Sequence, residues 1–153
     1  MTERCTAADT EEVRNLVARA ADGVCRRDTE LWVGTWAPDG VWALFDSEIV
    51  GKEEIRDRWI KGMGKFEFVA LLVFNGQVVI DGDADGHGSW YILEINRNVE
   101  GETTMMTGVY EDRYVRTAEG WRFARRQYHR TYLAPIDPGE MTLPPVLPGS
   151  TRL

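Results

Sequence analysis

Glu94 is the first side chain to consider for proton transfer, because it interrupts an apolar run, with Tyr91-Ile92-Leu93 before it and Ile95 after it. A carboxyl drawn into such surroundings has its pKa raised and can serve as a general base; turned outward, it is an ordinary solvated glutamate. The only imidazoles are His87 and His129. His129 follows Arg126 by three positions, so strand alternation sets the two on opposite faces unless a bulge intervenes. His87 sits between Gly86 and Gly88, where solvent exposure is expected. Cys5 and Cys25 have neither metal-ligand spacing nor a disulfide framework, and with two histidines no closed zinc site is expected. Cys25 falls near the C-terminal end of a helix, the pole that disfavours a thiolate, so a packed small side chain is the better reading than a nucleophile.

Charge narrows the partners. The 153 residues carry 18 Lys+Arg against 25 Asp+Glu, a formal charge of −7, which opposes binding to nucleic acid or an anionic membrane. Arg122, Arg125, Arg126 and Arg130 lie among Trp121, Phe123, Tyr128 and Tyr132, a mixture suited to single-stranded nucleic acid. Alternation along a strand divides those arginines between two faces, so no nucleic-acid partner is expected. The longest apolar run, Phe68 to Phe74, falls far short of the about 20 residues of a membrane span. The polar start Met-Thr-Glu-Arg-Cys lacks the apolar core of a secretory signal, so a cytoplasmic location is expected.

The elements that position these residues read as helices first and strands afterwards. Val13, Leu16, Val17, Ala20, Val24 and Cys25 recur at helical spacing, predicting a helix over about Thr10 to Arg27 with Asp9 as N-cap. A short helix is expected from Asp28 or Thr29 to Trp36, ending before Ala37-Pro38-Asp39-Gly40, followed by a strand at Val41 to Phe45. Asp46-Ser47-Glu48 reads as a turn. Glu53 to Met63 is a third helix with Ile55, Trp59, Ile60 and Met63 inward. Four extended runs follow, Phe66 to Ile80, Gly86 to Asn96, Thr103 to Thr117 and Gly120 to Leu133, with separators short enough for hairpins. The result is an α+β domain over residues 1–133 and a Pro-rich tail over 134–153, in which Leu143 to Leu147 carries enough apolar surface to dock.

Several strings resemble, in order and spacing, the SnoaL-like branch of the nuclear transport factor 2-like superfamily. They are Ala21 to Asp28, Asp39-Gly40-Val41-Trp42, Gly51 to Ile55, Ile80 to Ala84, Thr107 to Tyr114 and Gly120 to Arg126. The resemblance implies a cone: a curved antiparallel or mixed sheet packed on three helices, an α+β barrel around a deep apolar pocket. Members include scytalone dehydratase, hexachlorocyclohexane dehydrochlorinase and polyketide cyclases, together with non-catalytic proteins. The dehydratase-like members use an Asp on the first helix and a His on the first long strand, and the matching positions here are Cys25 and Leu71. Both members of that pair are therefore missing.

The resemblance also implies a pocket lined by Cys25, Trp42, Leu71, Trp90, Tyr110 and Tyr128. Arg126 falls where a cationic side chain is placed and would stabilise an oxyanion or a departing anion. Asp46 lies near where isomerase members carry a basic Asp. Glu94, Arg126 and His129 are the expected catalytic candidates, without metal or cofactor. The expected activity is that of a lyase, isomerase or cyclase on a small hydrophobic cyclic molecule. The alternative is a non-catalytic domain that binds such a molecule. A homodimer or homotrimer is expected in either case.

Overall fold

A computed structural model of the chain describes residues 3–140. The first helix, α1 (Glu3–Arg26), buries Val13, Leu16, Val17, Ala20 and Val24 along one stripe. It begins upstream of the expected cap, so Asp9 lies inside the helix. That carboxylate turns inward, accepts a hydrogen bond from Trp121 Nε1 at 3.2 Å and pairs with Arg116. A charge partner from the far side of the fold thus takes the side chain that a helix start would have used.

The second helix, α2 (Thr29–Val33), is capped by Asp28, which accepts from the Leu31 N–H at 3.0 Å. It is shorter than expected because β1 (Trp36–Leu44) already starts at Trp36. Pro38 and Gly40 fall in a break of strand register between Trp36 and Val41. Proline lacks an N–H to share, and the strand accommodates it as an irregularity instead of stopping. A strand hidden by its turn-forming residues, β2 (Ser47–Val50), hairpins back on β1. The third helix, α3 (Lys52–Met63), buries Ile55, Trp59 and Met63, a single row at four-residue spacing. Ile60 lies off that row and is 41% exposed, against expectation.

Four long strands complete the chain: β3 (Phe66–Ile80), β4 (Asp85–Asn98), β5 (Thr103–Thr117) and β6 (Gly120–Pro135). They pair as successive antiparallel hairpins, while β1 joins β6 in parallel. The order β2-β1-β6-β5-β4-β3 leaves both outer strands unpaired at one edge, so the sheet is mixed and open, and does not close into a barrel. Helix α1 packs on both β3 and β6, which have two strands between them in that order, so the sheet must curl around the helix. That curl is the cone.

Aromatic packing sets the rest. Trp32 on α2 stacks on Trp59 of α3 with centroids 5.2 Å apart and meets Trp42 of β1 edge-on at 5.0 Å, locking α2, α3 and β1 together. Inside the cone, rings from one strand lie over glycines of the next. A Cβ at Gly76 would come within 2.2 Å of the Trp90 ring, and one at Gly108 within 2.3 Å of Tyr128. Among the described residues no helix is long and apolar enough to cross a membrane. The strand β6 runs two residues past the expected domain boundary, and the apolar tail segment Leu143 to Leu147 lies outside the described residues.

Candidate functional site inside the cone

Cross-strand partners share a face, so the register lists what points inward. One row across β3, β4, β5 and β6 is Leu71, Glu94, Met106 and Leu133. The next is Val73, Ile92, Gly108 and Arg130, and beyond it come Gly76, Trp90, Tyr110 and Tyr128, the last beside Leu44 of β1. A fourth holds Val78, Gly88, Asp112 and Arg126, with Trp42 alongside. Trp42, Leu44, Val73, Met106 and Tyr110 face inward yet are only partly buried, whereas Leu71, Trp90 and Ile92 are buried. Inward side chains that keep solvent contact mark the concave mouth of the cone.

Arg126 is not a free cation in this cone. Its Nε and Nη2 donate to the two carboxylate oxygens of Asp112 at 2.8 and 2.7 Å, and both side chains are buried. The guanidinium is sandwiched between the rings of Tyr110 and Phe123, 4.0 Å from each centroid. Tyr114 donates its hydroxyl to Asp112 at 3.0 Å and accepts from Trp90 Nε1 at 2.7 Å, which extends the network across three strands. Burial works against the Arg126 charge, but Asp112 outweighs it and the pKa rises. An arginine held this way orients its neighbours, Tyr110 first. Trp90, expected in the pocket wall, is instead the buried far end of this network.

Glu94 lies on the inner face. Desolvation raises its pKa, opposed only by the hydrogen bond from Asn96 Nδ2 to its Oε1 at 2.9 Å. Asn96 is oriented in turn by Thr104, whose hydroxyl donates to its Oδ1 at 2.8 Å, so the amide presents its N–H to the carboxyl. Three other ionisable groups feel Glu94. Burial raises Cys25, Tyr110 and Tyr128, and the Glu94 charge adds to each, with Tyr128 pushed up to about 12. These are the groups facing the carboxyl from α1, β5 and β6.

Cys25 and Leu71 do meet. The thiol donates to the Leu71 carbonyl at 3.4 Å and accepts from its N–H at 3.3 Å. Strand β3 is an edge, and Cys25 covers part of its open backbone. A thiol engaged on both sides and raised by burial is a structural cap. Tyr128 packs against Tyr110, with centroids 5.5 Å apart, and its hydroxyl is buried without a hydrogen-bond partner among the described residues.

The remaining candidates stand apart. His129 faces outward from β6 and pairs with Glu111 at 2.9 Å, as the three-residue spacing from Arg126 required. It does not join Glu94. His87 pairs with Asp81 at 2.7 Å on the exposed surface, and Asp46 is exposed in the β1–β2 turn. A groove of about 630 Å³ between α1 and the β5–β6 hairpin is lined largely by charged residues, among them Glu12, Arg19, Asp22 and Arg122. It holds none of the groups with raised pKa values. Among the described residues no three His, Cys, Asp or Glu side chains converge in a metal-binding arrangement. Sequence reasoning missed Asp112, Tyr114, Asn96 and the inward position of Arg130. Asp112, Asn96 and Arg130 each lie two residues from a residue already singled out and Tyr114 lies four from Tyr110, all at the strand repeat that shares a face.

A curled, open mixed sheet around three helices, with its polar groups on the concave face, defines the nuclear transport factor 2-like class of α+β cones. Residues 6–127 match the SnoaL-like domain family, and the chain belongs to it. No curated protein sequence matches the chain significantly. Among solved structures, a type 2 hexachlorocyclohexane dehydrochlorinase is similar with a TM-score of 0.82 at 17% identity, covering 92% of this chain and 97% of the other. The type 3 enzyme from Novosphingobium barchaimii gives a TM-score of 0.82 at 18% identity over 90% of this chain and 97% of that one. A candidate scytalone dehydratase from Novosphingobium aromaticivorans gives 0.78 at 15% identity over 86% and 89%. At these identities the likeness is one of fold, a fold on which lyases are built.

Proposed function

We propose that this protein is a cofactor-free lyase, isomerase or cyclase that acts on a small hydrophobic cyclic substrate held inside the cone. It would work as a cytoplasmic homodimer or homotrimer. The observation that carries the reading is Glu94: a desolvated carboxyl on the concave face, oriented through Asn96, whose charge is felt by Tyr128, a hydroxyl buried without a hydrogen-bond partner among the described residues. A raised pKa brings a carboxylate closer to neutral, where a general base works best. In this scheme Glu94 removes a proton beside an activating group, and Tyr128 donates its hydroxyl hydrogen bond to the oxygen on which negative charge develops. Trp42, Leu44, Val73 and Met106 supply apolar walls. Arg126, neutralised by Asp112, serves by fixing Tyr110.

A second reading has its own support. Cys25 and Leu71 close on each other where relatives would carry an acid/base pair, which suits a domain that binds a cyclic molecule without converting it. Hydrogen–deuterium exchange at the acidic carbon of 2-tetralone, followed by NMR, separates the two. Catalysis predicts exchange above the buffer rate, falling by about 10²- to 10⁴-fold in Glu94→Gln. Binding of 2-tetralone without exchange favours the second reading.

A further inference from the structure

The β1–β2 hairpin turns through Phe45 and Asp46, and Phe45 sits at φ 48, in the left-handed region that bulky side chains avoid. Phe45 is also 61% exposed. The position therefore carries backbone strain and leaves an apolar ring in water. What the ring touches lies at the mouth of the cone. It meets Tyr128 edge-on, with centroids 5.8 Å apart, and the guanidinium of Arg130 lies over it at 4.9 Å.

Arg130 belongs to the inner face, opposite Gly108. Whereas Arg125 and Arg126 pair with Glu48 and Asp112, Arg130 has no carboxylate partner among the described residues. Its charge reaches the Tyr128 hydroxyl, which is buried without a hydrogen-bond partner among the described residues. The Tyr128 ring lies over Gly108, the cross-strand partner of Arg130. An exposed cation without a carboxylate partner among the described residues, a buried hydroxyl without a hydrogen-bond partner among them and an exposed aromatic ring thus adjoin one another, the set that a planar ring bearing an anionic oxygen group would satisfy.

We propose that the ligand of this pocket is an aromatic or otherwise planar cyclic acid, a carboxylate or an ionised enol or phenol. Arg130 and Tyr128 hold its oxygens, and Phe45 packs on its ring. This rests on the concave face being the binding site, as proposed above. Arg130 and Phe45 then determine specificity for an acidic cyclic compound over its neutral counterpart.

The test compares 2-naphthoate with its neutral analogue 2-naphthamide by isothermal titration, with the NMR shifts of the Tyr110 and Tyr128 rings reporting occupancy of the cone. The wild-type pocket should bind naphthoate at least tenfold more tightly than naphthamide, both shifting the Tyr110 and Tyr128 resonances. Arg130→Gln should abolish that preference while leaving naphthamide binding within twofold. Phe45→Gly should weaken both ligands severalfold and yet raise the melting temperature, because glycine relieves the left-handed strain. Equal binding of the two compounds by the wild type, or an unchanged preference in Arg130→Gln, overturns the acid-binding role while the pocket stands. If neither compound binds and shifts the Tyr110 and Tyr128 resonances, the acid-binding role and the pocket reading fall together.

Discussion

A half-buried carboxyl and a buried ion pair, both on the concave face, differ in what charge costs them. Burial raises the Glu94 pKa in the folded state, with Cys25, Tyr110 and Tyr128 the ionisable groups around it. A carboxyl that holds its proton more tightly when folded destabilises the fold once ionised. Its penalty is absent below the unfolded pKa of about 4.3 and grows as pH rises through the folded value. Glu94→Gln should therefore equal the wild type in urea stability near pH 4 and exceed it near pH 8. A less stable Gln variant near pH 8 would mean that the carboxylate has a cationic partner. Arg126 and Asp112 are the opposite case, since each neutralises the other out of water. Arg126→Met strands the Asp112 carboxylate and should cost about 3–5 kcal/mol. Much of that should return in the Arg126→Met, Asp112→Leu double variant. A single variant within about 1 kcal/mol of wild type in denaturant would show the pair to be less buried than its hydrogen bonds require.

Between strands, the concave face depends on glycine positions that admit a neighbour's ring. A Cβ at Gly108 would meet both the Tyr128 ring and the His129 carbonyl at 2.7 Å, so Gly108→Ala must move backbone as well as side chain. A loss of about 1–3 kcal/mol is expected, with altered near-ultraviolet circular dichroism from displaced tyrosines. Gly82→Ala, with nothing within 4 Å, is the control and should stay within about 0.5 kcal/mol. Equal melting temperatures for the two variants would contradict the packing of Tyr128 on Gly108. Element boundaries at this scale were largely legible. The four hairpin strands follow from alternation and turn residues, and α1 from its apolar stripe. The β2 strand and the early start of β1 were not, because both are held by pairing with distant strands and carry Pro, Gly, Ser and Asp that locally favour turns.

For the whole molecule, the outer face of the sheet poses the assembly question. Leu72, Leu93, Thr107 and Tyr132 form one row across four strands, with Tyr91 and Val109 in the next. Leu72, Phe74, Tyr91 and Tyr132 are each about half exposed, a concentration of apolar surface that self-association would cover. Light scattering at micromolar concentration should find a dimer or trimer, and Leu72→Glu should shift it toward monomer. A monomeric wild type would remove assembly through this face.

The sequence by itself determined the class of fold, since hydrophobic periodicity and turn chemistry are local properties that survive reading one residue at a time. Strand alternation also set Arg126 and His129 on opposite sides. Only the tertiary structure decided what each charge meets. Arg126 is matched by Asp112, Asp9 by Arg116, Cys25 by the Leu71 backbone, and Arg130 by no carboxylate among the described residues. Those partners come from other strands and helices, and the availability of a buried charge depends on distance and dielectric, which only the curled sheet sets.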